Sequence, residues 1–212
     1  MNYLDLESFF NKMTSSRYDF KPFYEYLQIL LQWNSKINLT SLNDPRIILE
    51  ELFVDSLFLV DQIKMAGSLD IKILDIGSGA GLPGIPLKIA LPAIQLTLVE
   101  SIKKKSDFIK AVARKLSMDN LEVLNLRLHK DSEIGRYDIV VSRGTMSLSD
   151  LVRLSLNFVV KAGTIITMKG EEPSSEISEL QKITKNNLIV EKIPYSLPMS
   201  GKKRTLIVVS HI

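Results

Sequence analysis

Residues 75–87 read DIGSGAGLPGIPL, and glycine takes four of the eight positions from Gly77 to Gly84. Glycine adopts backbone angles closed to other residues and lets a ligand rest against bare peptide. A run this rich in glycine can be neither a helix nor a strand along its whole length. It reads as a loop that something approaches closely. The loop follows one short apolar run, IKIL, and precedes another, IQLTLVE, which ends in Glu100. An acid about 20 residues beyond a glycine loop, at the end of the next strand, can accept hydrogen bonds from both hydroxyls of a ribose. The helix predicted after Pro83 directs its free N–H groups at the same place. These features describe a site for an adenosine-containing cofactor.

Two cofactor patterns fit the glycines. From Gly79, GAGLPG matches the dinucleotide fingerprint G-x-G-x-x-G. From Asp75, D-x-G-x-G-x-G matches an S-adenosylmethionine loop through Gly77, Gly79 and Gly81. Three features favour the second pattern. Asp75 can serve an ammonium group but would repel a pyrophosphate. Pro83 removes an N–H that a pyrophosphate would use. No second mononucleotide-binding half follows in the sequence.

Alternating strands and helices must position these residues. Leu4, Phe9 and Phe10 suggest a short amphipathic helix near the start, and Pro22 suggests the first turn of a second, with Phe23, Leu27, Leu30 and Leu31 on its apolar face. Asp44-Pro45 is a helix-start signal, and Ile48, Leu52, Leu59 and Ile63 continue an apolar face up to Gly67. Strands are predicted over IKILDIG, Ile94–Glu100, Leu121–Arg127, Tyr137–Arg143, Thr164–Gly170, IVEKI and TLIVVS. Helices are predicted over Gly84–Ala90, Lys103–Leu116, Leu148–Lys161 and Glu176–Asn186. Strand–helix alternation implies a mostly parallel sheet covered on both faces. The link YSLPMSGKKR leaves no room for a crossover helix, so the last strands are expected to form an antiparallel hairpin. The fold class is therefore α/β, a Rossmann-like class I methyltransferase shape with N-terminal helices. Residues 1–66 are expected to pack on a cofactor-binding domain of residues 67–212 as one compact unit.

Composition narrows the chemistry. The chain has 212 residues, 45% of them hydrophobic, and a net charge of only +3. That size and composition support one packed domain, while the overall charge by itself says little about partners. No cysteine is present, which excludes disulfides, thiolate metal sites and a cysteine nucleophile. Two histidines, His129 and His211, do not suggest a metal centre, and none is expected. The first residues, MNYLDLESFFNKM, lack the pattern of a secretory signal, and no apolar run is long enough to span a bilayer. A soluble, cytoplasmic monomer is the expectation.

The segments WNSKINLTS (Trp33–Ser41), VDSL (Val54–Leu57), DIGSGAGLPGIPL, LVES followed by KKK, and VSR (Val141–Arg143) together resemble the RsmG family. This family, also called glucose-inhibited division protein B, consists of bacterial methyltransferases of small-subunit (16S) ribosomal RNA. The likeness runs in order from about Tyr26 to Val209. It implies S-adenosylmethionine as cofactor and N7 of a guanine as methyl acceptor, with small-subunit RNA or the 30S particle as partner. It also implies that Gly77 and Leu82 line the cofactor, that Glu100 holds the ribose, and that Leu128 and His129 lie near the adenine. Arg143 would stand at the mouth of the site, with substrate positioning as a further role.

The chain departs from the family pattern at several places. Leu52 stands where a histidine is common, and His129 where an acid is expected. Gly144, Thr145 and Met146 replace Ala-Phe-Ala, and Thr205 replaces a frequent histidine. The implied reaction needs no general base, because guanine N7 carries an in-plane lone pair. No catalytic acid or base is therefore assigned, and orientation carries the rate. Lys103, Lys104 and Lys105, with Lys169, Lys202, Lys203 and Arg204, are expected near the mouth, where a basic cluster would meet RNA. The competing readings are a methyltransferase of small molecules, a non-catalytic RNA-binding assembly factor and, more remotely, an NAD-dependent dehydrogenase.

Overall fold

The computed structural model describes residues 2–65, 70–184 and 188–211. Gly67, Asn186 and the proposed boundary between residues 66 and 67 lie outside them. The sheet is built from β1 (Lys72–Ile76), β2 (Gln95–Val99), β3 (Leu121–Leu124), β4 (Tyr137–Arg143), β5 (Val159–Lys169), β6 (Leu188–Ser196) and β7 (Lys203–His211). Among the described residues the order is β3-β2-β1-β4-β5-β7-β6. The first five strands are parallel, whereas β7 runs antiparallel to both β5 and β6. This is the mostly parallel sheet with an antiparallel C-terminal hairpin that the sequence predicts. Order reverses between β1 and β4, and ligands bind open α/β sheets at the carboxyl ends of such strands.

Strand alternation splits the buried side chains into two apolar layers. Ile73, Leu96, Leu98, Ile139 and Val141 face one layer, and Leu74, Ile76, Val99 and Val140 face the other. The first layer is covered by α1 (Tyr3–Thr14), α2 (Phe20–Asn34), α6 (Gly84–Ala90) and α7 (Lys103–Lys115). The second is covered by α8 (Leu148–Ser155) and α9 (Ser174–Thr184). The N-terminal helices thus share one continuous core with the sheet. Phe10, Phe23, Tyr26 and Phe108 are completely buried there. Each contributes about 1.5–3 kcal/mol of transfer free energy.

Several elements differ from the sequence reading. On α1 the buried face is Leu6, Phe10 and Met13, while Leu4 is 70% exposed, because the stripe continues through Met13 and leaves Leu4 outside. Helix α2 starts two residues before Pro22, where Asp19 caps it by accepting from Lys21 N–H at 3.0 Å. β3 stops at Leu124, short of Arg127, and α8 stops at Ser155, because residues from Val159 onward join β5. The Asp44-Pro45 signal does open α3 (Pro45–Ile48), with Asp44 accepting from both Arg46 and Ile47 N–H. That helix then widens into a π-helical stretch over Leu49–Val54 before α4 (Asp55–Leu57) and α5 (Leu59–Met65). Among the described residues no helix is long and apolar enough to cross a membrane.

Candidate cofactor site

The loop after β1 is bound to the neighbouring strand before it turns. Gly77 and Ser78 N–H both donate to the Val99 carbonyl at the end of β2, at 2.9 and 3.1 Å. Gly77 has φ +71°, and a Cβ there would lie 2.4 Å from Thr145 Cγ2, so glycine is required both for conformation and for space. Gly84 is needed for a different reason. A Cβ on it would stand 2.8 Å from Asp75 Oδ2, so only glycine lets its N–H donate to that oxygen at 3.0 Å. The fourth glycine of the run thus joins the start of α6 to the acid at the end of β1.

Asp75 is completely buried, and its Oδ1 has no hydrogen-bond partner among the described residues. Burial pushes its carboxyl up to about 8, against an ordinary value of 3.8. An unpaired buried carboxylate oxygen is costly unless something completes it. Glu100, 5% exposed, is held differently. Its Oε2 accepts from Gly79 N–H at 2.8 Å and its Oε1 from Ile102 N–H at 2.7 Å. Each oxygen retains a lone pair for another donor. The acid and the loop, 21 positions apart, therefore meet directly. A buried acid with an orphaned oxygen, a fixed carboxylate with spare acceptor capacity and a loop of bare peptide fit a ligand carrying an ammonium and a ribose.

The remaining sequence candidates fall into separate places. Gly81 and Leu82 are buried where the loop turns into α6. Leu128 is half-buried against the second apolar layer, while His129 is exposed and its N–H donates to Ser132 Oγ at 2.9 Å. Arg143, at the end of β4, lies 3.2 Å from the buried Asp55 Oδ2 and donates to the Glu51 and Leu52 carbonyls of the π-helical stretch. Lys169 pairs with Glu176 at 2.7 Å, Lys202 with Glu51 at 2.5 Å, Lys203 with Glu171 at 2.8 Å, and Arg204 with Glu51 at 3.7 Å. Lys103 pairs with Asp107 at 3.1 Å and leaves 77% of its side chain exposed. Lys104 is exposed and Lys105 half-buried, and neither forms an ion pair among the described residues.

Some contributors are invisible in sequence spacing. Tyr26, from α2, donates its hydroxyl to the Ala80 carbonyl inside the glycine loop, and its ring stacks on Phe53 at 4.4 Å. Burial raises its hydroxyl well above the ordinary range, which keeps it a neutral donor. Ser142 Oγ donates to the Ile76 carbonyl at 2.9 Å and stands 2.7 Å from Thr145 Oγ1, so the ends of β1 and β4 are tied together. Asn125 donates to the Glu100 carbonyl at 2.9 Å and so fixes the backbone beneath the acid.

The sequence model of the GidB family, rRNA small subunit methyltransferase G, matches residues 20–207. This chain belongs to that family. It is 37% identical over 183 residues to ribosomal RNA small subunit methyltransferase G of Myxococcus xanthus, covering 84% of this chain and 82% of that protein. It is 41% identical over 165 residues to the protein of that name from Mycoplasma capricolum, covering 77% and 70%. Among solved structures, its fold is similar to an O-methyltransferase from Bacillus cereus in complex with SAH, with TM-score 0.62, 15% identity and coverage of 88% and 90%. A ribosomal protein L11 methylase from Lactobacillus delbrueckii gives TM-score 0.58 at 13% identity, covering 76% and 78%. As a member of the family, the chain is a methyltransferase that uses S-adenosylmethionine.

Proposed function

We propose that this chain transfers a methyl group to N7 of a guanine in small-subunit ribosomal RNA. The observation that carries the reading is the contact of Glu100 with Gly79 and Ile102, beside the unpaired Oδ1 of Asp75, in a chain of the rRNA small subunit methyltransferase G family. S-adenosylmethionine supplies a methyl on a positively charged sulfur. Asp75 Oδ1 would receive its ammonium, and Glu100 would accept from its ribose hydroxyls. Gly77, Gly79, Gly81 and Leu82 would line the cofactor, with Leu128 and His129 near its adenine. Arg143 acts through Asp55 and the π-helical carbonyls and holds the end of β4 in place.

The acceptor base uses a lone pair that no proton covers, so the side chains have no proton to remove. Their task is to hold nitrogen, methyl carbon and sulfur in line, and such orientation can supply roughly 7–11 kcal/mol of barrier reduction. The target base must leave its stack to reach the methyl, which suits an unpaired loop of RNA. Lys104, in the first turn of α7, faces the phosphates, while Lys103 beside it is held by Asp107.

The test is transfer of labelled methyl from S-adenosylmethionine to small subunits, or their deproteinised RNA, lacking the modification. Label mapping to one guanine by N7-specific strand cleavage is the expected result. Cofactor binding in calorimetry without transfer to either RNA form would overturn the RNA assignment.

A further inference from the structure

A groove of about 410 Å³ lies between the end of α2 and the first turn of α7, lined by Gln32, Trp33, Lys36, Ile37, Lys104 and Asp107. Its size is within the range of about 300–1,000 Å³ common to ligand sites. We propose that this groove receives an unpaired nucleobase of the RNA substrate, stacked on Trp33, while Lys36 and Lys104 hold the flanking phosphates. The proposal rests on RNA being the substrate and adds a contact beyond the base that is methylated.

The groove is held rigid by its surroundings. Trp33 sits edge-on to the fully buried Phe108, with ring centroids 5.7 Å apart and planes at 65°. Lys36 and Ile37 N–H both donate to the Trp33 carbonyl at 2.9 Å, which closes the turn after α2. Asn34 Oδ1 accepts from Leu39 and Thr40 N–H at 2.9 and 3.0 Å, so the following loop is fixed as well. The indole is half-buried, a position in which an aromatic ring is seated yet still offers surface.

Charge selects the occupant. Lys36 and Lys104 are exposed and form no ion pair among the described residues. Asp107, the one carboxylate in the lining, pairs with Lys103 at 3.1 Å. An aromatic floor between uncommitted cations is the arrangement by which proteins bind single-stranded nucleic acid, with stacking for the base and lysines for the backbone. The same two helices reach the cofactor loop. Lys104 lies two residues beyond Ile102, whose N–H is bound by Glu100, and Phe108 lies 6.3 Å from the Tyr26 ring that holds Ala80. A base in this groove would therefore register the RNA against the elements that position the cofactor.

Trp33 is the only tryptophan of the chain, so its emission reports on this groove alone. The protein is titrated with deproteinised small-subunit RNA lacking the modification, and emission is followed alongside retention of the complex on filters. Stacking predicts that emission falls and that the fall saturates with binding. RNA retained on the filter with unchanged emission would overturn the proposal. In methyl-transfer assays Trp33→Ala is expected to raise KM for RNA about 5- to 150-fold while kcat and cofactor affinity stay unchanged, the loss expected for one stacked base. Trp33→Phe, which keeps an aromatic face and guards against a folding defect, is expected to recover most of that loss. An unchanged KM in the alanine variant would also overturn the proposal. Absence of both RNA binding and methyl transfer in the unaltered protein would overturn the underlying reading, and the groove assignment with it.

Discussion

Two polar regions stand on either side of the switch point in the sheet, and they differ in how far their hydrogen-bonding capacity is used. On the hairpin side, Asp55 takes the Tyr195 hydroxyl at 2.6 Å, Arg143 at 3.2 Å and Arg204 at 3.9 Å. Glu51 takes Lys202 and Arg204, and Glu50 takes the N–H groups of Met199 and Ser200. Nearly every charge there has a partner, and burial together with Asp55 raises the Tyr195 hydroxyl well above its ordinary value. On the glycine-loop side, among the described residues, Asp75 keeps an oxygen unpaired and Lys36, Lys104 and Lys105 pair with no carboxylate. Satisfied polar networks rigidify, whereas a buried carboxyl left open beside a glycine loop leaves a place that a ligand can complete. The hairpin side is a joint between β4, β7 and the π-helical stretch, and the glycine-loop side is the one proposed to meet cofactor and RNA.

The contrast is sharpest at the two buried aspartates. Asp75, with its carboxyl raised to about 8, keeps its proton in the folded protein while the unfolded chain loses it above 3.8. The folded state then binds more protons, so stability falls as pH rises between about 4 and 8 and levels off above, by up to roughly 1.4 kcal/mol per pH unit. Urea unfolding of the cofactor-free protein across that window, compared with Asp75→Asn, is expected to show the slope in the parent and its loss in the variant. Parallel profiles would place Asp75 on the satisfied side. Asp55→Ala breaks a nearly buried pair and is expected to cost about 2–4 kcal/mol in the same unfolding assay, below the fully enclosed case because Arg143 is partly solvated. A cost under about 0.5 kcal/mol would dissolve the joint, since that is what exposed pairs contribute.

Gly77 tests the seam between the regions, because its hydrogen faces Thr145 beyond the end of β4. Gly77→Ala forces a side chain into φ +71° and against Thr145 Cγ2. A loss of about 1–2 kcal/mol is expected from conformation alone, with cofactor affinity in calorimetry down about tenfold. Adding Thr145→Ser, which removes the nearer methyl, is expected to restore part of the affinity. No recovery in the double variant would assign the defect to backbone strain alone.

Much of this was legible in the sequence. Glycine density, Asp75 and Glu100 are local signals whose spacing matches the length of one strand–helix–strand unit, and the Gly79–Glu100 contact follows from that unit. The antiparallel hairpin was legible because ten residues cannot hold a crossover helix. The joint was not. Its contacts span 92 positions from Arg143 to Glu51 and 140 from Tyr195 to Asp55, and no periodicity reports such distances. The π-helical stretch was hidden because its apolar residues also satisfy the ordinary helical period. For Lys202, Lys203 and Arg204 the sequence shows the cations but not the carboxylates of Glu51 and Glu171 that pair with them.

Open cations, and not paired ones, are proposed to receive the RNA, a division that charge reversal can break. It is tested most directly by methyl transfer to small-subunit RNA over a range of salt concentrations, comparing Lys104→Glu with Lys203→Glu. Lys203 is paired with Glu171 in an exposed bridge, and its reversal is expected to leave both fold and KM nearly unchanged. Reversal at Lys104 is expected to raise KM about tenfold and reduce the salt dependence of binding by roughly one phosphate contact. A rise in KM and a shallower salt dependence at Lys203, with Lys104 silent, would contradict the account.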